Sequence, residues 1–199
     1  MIKFRIDVDY PYPSRIKSFI YVFLGIKKSK DYLKNSKIIA KMMNETRKKV
    51  KAYWFFTIKT LPDEELLSLL NNNVHEIALH VVNNPNEELR KAEEVTGRKI
   101  NYYTIHGTER LFGRIIWGRW RRKVPKIPET FPLKSFHELP TIGLDRLCYF
   151  HSAEEAQKIA EDKIRKGYVV YFHPIWLFQR GTLNHRGPFY EALRRILSD

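Results

Sequence analysis

Phe4-Arg5-Ile6-Asp7-Val8-Asp9 reads as a short strand ending in two carboxylates, and three later segments repeat its plan. Glu76-Ile77-Ala78-Leu79-His80, Tyr102-Tyr103-Thr104-Ile105-His106 and Tyr168-Val169-Val170-Tyr171-Phe172-His173 are also apolar runs that end in a residue able to bind a metal or move a proton. A parallel barrel gathers the C-terminal ends of its strands around one pocket, so residues far apart in sequence meet there. The four endings predict that Asp7, Asp9, His80, His106 and His173 converge, and that the chemistry at that point is hydrolytic.

Helices read between these strands support a parallel α/β architecture. Helical material is expected around 14–27 and over 30–48, where Ile38, Ile39, Met42 and Met43 make one apolar face. A strand over 52–58 follows, then a helix opening near Pro62 with Asp63, Glu64 and Glu65 at its positive end. Further strands are expected at 75–82, 100–106 and 168–174. Further helices are expected over 86–96, closed by Gly97, then from Ser152 to Gly167, and from Pro188 onward. Ser152 and Glu155 form a capping box in this reading. The segment 108–135 reads as irregular and basic, and strands are expected near Leu139–Ile142 and Arg146–Phe150. The whole chain, 1–199, reads as a single domain.

Composition narrows the classes. At 199 residues with 43% hydrophobic and 14% aromatic content, the chain can bury a core, and disorder is not expected. Cys148 is the only cysteine and lies in the apolar run Leu147-Cys148-Tyr149-Phe150, so it reads as a buried small residue rather than a nucleophile. The first strand begins at once, with charges at Lys3 and Arg5, and no signal peptide is read. The most apolar stretch, Phe19–Ile26, is far shorter than the ~20 residues a spanning helix needs. A soluble, cytoplasmic protein is therefore expected.

The net charge of +14 would attract polyanions. One dense run, Arg114, Arg119, Arg121, Arg122, Lys123 and Lys126 with Trp117 and Trp120, reads either as a solvated helix face or as a grip for phosphate or an anionic glycan. Stacking aromatics among basic residues suit single strands, but no recognised nucleic-acid motif is present, and nucleic acid is not the expected partner.

Asp7 and Asp9 lie two apart on a strand, so their side chains share one face. Paired carboxylates repel, and a metal or a shared proton relieves that. His75 falls on the opposite face from His80 and reads as structural. Gly107 after His106 allows a ligand to approach the backbone, and Pro174 after His173 stops the strand. His185 is placed in a loop that could help close the pocket, while His137 and His151 carry no assignment.

Together these segments resemble the polysaccharide deacetylase family (carbohydrate esterase family 4, the NodB-homology fold). Phe4–Asp9 looks like its first motif, a strand ending in two close aspartates. Ala52-Tyr53-Trp54-Phe55-Phe56-Thr57 is similar to its Ala-Thr-Phe-Phe strand. His75-Glu76-Ile77-Ala78-Leu79-His80 is similar to its His-Glu-Ile-Gly-x-His motif, and Tyr171-Phe172-His173-Pro174 to its late Leu-His-Pro motif. The likeness covers most of the chain in the family's order. It implies a distorted (β/α) barrel of the glycoside hydrolase/deacetylase type with mostly parallel strands. It implies Asp7 as general base, Asp9 and His80 as ligands of a divalent metal, typically zinc, and His173 as general acid. The implied reaction removes an acyl group, N-acetyl in most of the family, from a sugar or similar small polar substrate.

Two departures leave alternatives open. The family's second motif supplies another histidine four residues after the first, where this chain has Asn84. Its Arg-x-Pro-Tyr motif is also missing, and Thr104-Ile105-His106-Gly107-Thr108-Glu109-Arg110 stands near that place. Either His106 completes a rearranged metal site, or the site holds metal weakly or not at all. In the second case the chain is a binding module for a glycan or metabolite on the same barrel.

Overall fold

Strand β1 (Ile2–Val8) hydrogen-bonds on both sides, to β2 (Val50–Phe56) and to β7 (Val169–Phe172), and both pairings are parallel. The computed structural model describes residues 1–9, 31–70, 73–106, 125–137, 139–177 and 188–198. From β1 the sheet extends one way through β2, β3 (His75–Val81), β4 (Tyr102–Ile105) and β5 (Lys134–Ser135), and the other way through β7 to β6 (Thr141–Gly143). All seven strands are parallel, in the order β5-β4-β3-β2-β1-β7-β6, and the sheet curls into a half-barrel.

Parallel neighbours need crossovers, and helices supply those described after β1, β2, β3 and β6, with a last helix following β7. They are α1 (Asp31–Glu45), α2 (Glu64–Leu69), α3 (Pro85–Thr96), α4 (Leu144–Phe150), α5 (Ala153–Arg165) and α6 (Pro188–Leu197). Alternation along each strand divides the sheet into two faces. Phe4, Ile6, Val8, Trp54, Phe56, Ile77, Leu79, Val81, Val170 and Phe172 join helix residues such as Ile39, Met43, Leu66, Ala92, Ala156 and Leu193 in one buried cluster.

The other face is apolar low in the sheet and polar at its C-terminal end. Phe55, Ala78, Phe136 and Val169 pack with Tyr53 and Tyr102 into a second cluster. The Phe136 ring sits 4.7 Å from Tyr53 and 5.1 Å from Phe55, the spacing of favourable tilted aromatic pairs. Above that layer the same face carries Asp7, His80 and Thr104, with Asp9, His106 and His173 just past their strands.

Helix ends follow their sequence signals. Asp63 caps α2 by accepting from Leu66 N–H, and Ser152 and Glu155 form the expected capping box on α5. Gly97 ends α3 at φ 62, a left-handed position that favours glycine. Of the two strands expected around 139–150, Thr141–Gly143 is one, but Arg146–Phe150 belongs to α4. Leu144 and Cys148, one helical turn apart, are buried there, while Tyr149 and Phe150 face out. Helical spacing of the apolar contacts overrides the strand preference of the aromatics. The irregular 108–135 region contains β5 where it is described; the helix expected over 14–27 lies outside the described residues. Among the described residues no helix is long and apolar enough to cross a membrane.

His75 lies on the helix-facing side, buried, and its ring is held at both nitrogens. Nδ1 accepts from Trp54 Nε1–H at 2.9 Å, and Nε2 lies 3.0 Å from Asn44 Oδ1, which fits a neutral ring protonated at Nε2. Burial, with the charges of Lys51 and Arg98, pushes its pKa down to about 4. An unfolded chain takes up a proton on this ring near its ordinary ~6.5, whereas the folded chain holds it neutral to about pH 4. The stability tied to the neutral ring is complete above ~6.5 and is lost as pH falls towards 4. Urea titrations at stepped pH are expected to show an unfolding free energy that falls more steeply across this window in wild type than in His75→Gln, by on the order of 3 kcal/mol in total. Equal slopes would exclude His75 as the source.

Candidate functional site

Three atoms delivered by three strands form the centre of the site. Asp9 follows β1, His80 is the penultimate residue of β3, and His106 follows β4. Asp9 Oδ1 lies 3.2 Å from His80 Nε2 and 3.2 Å from His106 Nδ1, and the two ring nitrogens are 3.1 Å apart. A tetrahedral ion with bonds of about 2.0–2.1 Å sets its ligand atoms about 3.3–3.4 Å apart. The triangle therefore accepts such an ion with an expansion of a few tenths of an ångström.

Asp9 Oδ1 is buried and receives no properly directed hydrogen bond from any described residue. A buried carboxylate oxygen without a partner is costly, and a cation at the centre of this triangle would satisfy it. Burial alone would raise the Asp9 pKa, but the His80 and His106 rings outweigh it and hold the carboxyl far below its ordinary range. The Asp9 carboxylate in turn raises the pKa of His106. Two imidazoles and one carboxylate are a donor set suited to zinc and to other late divalent ions.

Neighbouring groups orient these side chains. His80 is 2% exposed, and its Nδ1 lies 2.6 Å from Thr104 Oγ1, the residue opposite it in the β3–β4 register. With Nδ1–H donating to Thr104, Nε2 presents a lone pair to the triangle, as a metal-binding histidine requires. Buried Glu88, on α3, accepts from the N–H groups of Val82 and Asn83 at 2.8 and 2.9 Å and so fixes the turn leaving β3. His137 accepts from Ile105 N–H at 3.0 Å and fixes the backbone just before His106.

Asp7 lies beside the triangle with Oδ2 4.0 Å from His80 Nε2, and it is 2% exposed. Arg5, two residues earlier on the same face, donates from Nε to Oδ1 at 3.0 Å and from Nη2 to Oδ2 at 2.7 Å. This is a bidentate pair of the strong kind. The guanidinium lies between the rings of Tyr171, 4.9 Å away, and Phe55, 5.7 Å away.

His173 follows β7, and its Nε2 lies 3.5 Å from Asp9 Oδ2. Asp145, the second residue of α4, places Oδ2 2.7 Å from His173 Nδ1 and also accepts His173 backbone N–H at 3.1 Å. Burial would lower the His173 pKa, but the hydrogen bond and charge of Asp145, with the charges of Asp9 and Asp7, raise it to about 9. Tyr171 Oη is 2.8 Å from His173 Nε2. Burial, with the nearby Asp7 and Asp145 carboxylates, raises the phenol's pKa, so it stays neutral.

The structure thus brings Asp7, Asp9, His80, His106 and His173 to one place. Asn84 lies elsewhere: it is an exposed N-cap of α3, its side chain accepting from Glu87 N–H at 3.4 Å, and it is not part of the triangle. Buried Cys148 has its thiol pKa pushed up to about 12 by burial and by Asp145, which makes it inert. His185, Gly107 and the basic run 114–126, apart from Lys126, lie outside the described residues.

Sequence reasoning missed Arg5, Thr104, Asp145 and Tyr171 as parts of the site. Asp145 had a usable signal: it is an acid just past the strand expected near Leu139–Ile142, the rule that found the other endings, but the next segment, Arg146–Phe150, is expected as a strand and is a helix. No family model, curated protein or solved structure matches this chain.

After zinc loading and desalting, elemental mass spectrometry is expected to find about one zinc per wild-type chain. The Asp9→Asn/His80→Ala double variant and His106→Ala should lose it, while Asn84→Ala should retain it. Zinc retained by His106→Ala but lost by Asn84→Ala would reverse the assignment of the third ligand.

Proposed function

We propose that this chain is a metal-dependent hydrolase of the polysaccharide deacetylase type, removing an acyl group, N-acetyl in the first instance, from a sugar or related small polar substrate. The observation that carries this reading is the orphaned Asp9 Oδ1 within 3.2 Å of two imidazole nitrogens, flanked by a separate carboxylate, Asp7, and a separate Asp145–His173 pair. One group of residues suits a cation, and two more suit proton transfer on either side of an acyl transfer.

A divalent ion held by Asp9, His80 and His106 would supply Lewis-acid polarisation of the acyl carbonyl and of the attacking water. Asp7 takes the proton from that water. Arg5 holds both Asp7 oxygens and leaves their remaining lone pairs for this task. His173 carries the proton that the departing amine needs. Asp145 fixes its ring through Nδ1 and turns Nε2 towards Asp9. This division of roles is the one that the resemblance read from sequence implies.

The alternative of a metal-free glycan-binding module drew its support from Asn84 at a ligand position. Asn84 capping α3 and His106 lying beside Asp9 favour the metal-dependent reading over it.

The test is turnover of N-acetylglucosamine and short N-acetylated oligosaccharides by zinc-loaded protein, read as acetate release. Asp7→Asn is expected to lower kcat by roughly 10²–10⁴-fold while keeping its zinc. Full activity in Asp7→Asn would refute the assigned base. Saturable oligosaccharide binding without acetate release by zinc-loaded wild type would favour the binding module.

A further inference from the structure

His173 is placed as the proton donor, yet its working nitrogen is not bare. Nδ1 is taken by Asp145 at 2.7 Å, and the same carboxylate oxygen accepts His173 backbone N–H at 3.1 Å, so the ring has no freedom to turn. Only Nε2 can serve a substrate. Two groups lie near it: Tyr171 Oη at 2.8 Å and Asp9 Oδ2 at 3.5 Å. A cation held by Asp9 draws on that carboxylate, which leaves the phenol as the hydrogen-bond partner of Nε2.

Tyr171 is fixed in that position. It lies two residues before His173, on the same side of β7, and its ring meets the His173 ring edge-on with centroids 4.9 Å apart. Arg5, its register partner on β1, stacks over it at 4.9 Å. A phenol has one O–H donor and two acceptor lone pairs. When it accepts from His173 Nε2–H, its own proton is free to point outward.

We infer that the Tyr171 hydroxyl is the group that touches the leaving atom of the substrate, and that it passes on the proton held by His173. The inference rests on the deacetylase reading of the same site. As the acyl C–N bond breaks, its electron pair goes to nitrogen, which takes the Tyr171 O–H proton. Tyr171 Oη takes the Nε2 proton of His173, and the imidazole is left neutral with Nδ1–H still on Asp145. The water oxygen bonds to the acyl carbon, and its proton goes to Asp7. The products are a carboxylic acid and an amine.

A relay of this kind matters only when the leaving group needs a proton. An amine does; 4-nitrophenolate does not. The experiment compares zinc-loaded wild type with Tyr171→Phe on an N-acetylated sugar and on 4-nitrophenyl acetate, with zinc content and unfolding midpoint confirming that the variant is folded. The expected result is a fall in kcat of roughly 10²-fold on the amide, KM unchanged, and a change of under about threefold on the ester. An equal loss on both substrates would make Tyr171 a structural support, and no loss on either would make it a bystander; each overturns the inference while leaving the deacetylase reading intact. A wild type that hydrolyses neither substrate overturns both.

A second readout needs no turnover. In ¹⁵N spectra of histidine-labelled, zinc-loaded protein, removal of the hydroxyl is expected to shift the His173 Nε2 signal. In wild type, the His173 Nε2–H proton is expected to show a through-space contact to the Tyr171 ring protons. Absence of that contact in wild type overturns the inference even if Tyr171→Phe fails to fold.

Discussion

Two carboxylates side by side on one face of a strand repel each other, and both Asp7 and the inner oxygen of Asp9 are removed from water. Much of the polar structure around β1 answers that problem. Asp7 is neutralised from within its own strand by the bidentate Arg5, whose charge is in turn spread over Tyr171 and Phe55. Asp9 has no such partner and faces imidazoles arriving from β3 and β4. The two acids lie two positions apart in sequence and differ in surroundings, because one has an arginine and the other two imidazoles.

The register of the parallel sheet makes this possible. His80 pairs with Thr104 across β3–β4, and Arg5 with Tyr171 across β1–β7. Each pair sets an orienting group beside the group it orients. Beneath them the aromatic layer of Tyr53, Phe55, Tyr102 and Phe136 fills the same face. The polar groups therefore sit on a dry floor, where charge–charge interactions act more strongly than they do in water.

The fold was largely legible because buried parallel strands write themselves as apolar runs, and because a polar residue at the end of such a run stands out. β1, β3, β4 and β7 were found this way, along with all five residues at their ends. What was not legible depended on partners rather than pattern. Arg5 reads as an ordinary charge near the start of the chain, and only the folded strand shows both of its donors on Asp7 and its guanidinium over Tyr171. Asp145 was hidden because aromatic residues in Leu147–Phe150 suggested extended chain, whereas burial of Leu144 and Cys148 makes a helix whose second residue is the acid. Asn84 was read as a substituted ligand from its spacing alone; the start of α3 gives it a different task.

The order of the residues along the chain divides the site into two parcels. Asp9, His80 and His106 all belong to the first 106 residues, on strands held together through β2. Asp145, Tyr171 and His173 come with β6 and β7, which join the sheet only at the other edge of β1. During synthesis the Asp9–His80–His106 parcel emerges first, while the Asp145–Tyr171–His173 parcel waits for a strand more than 160 positions downstream of β1. On the proposed function, a growing chain would assemble its cation site before its proton donor, and the docking of β7 would bring the two together.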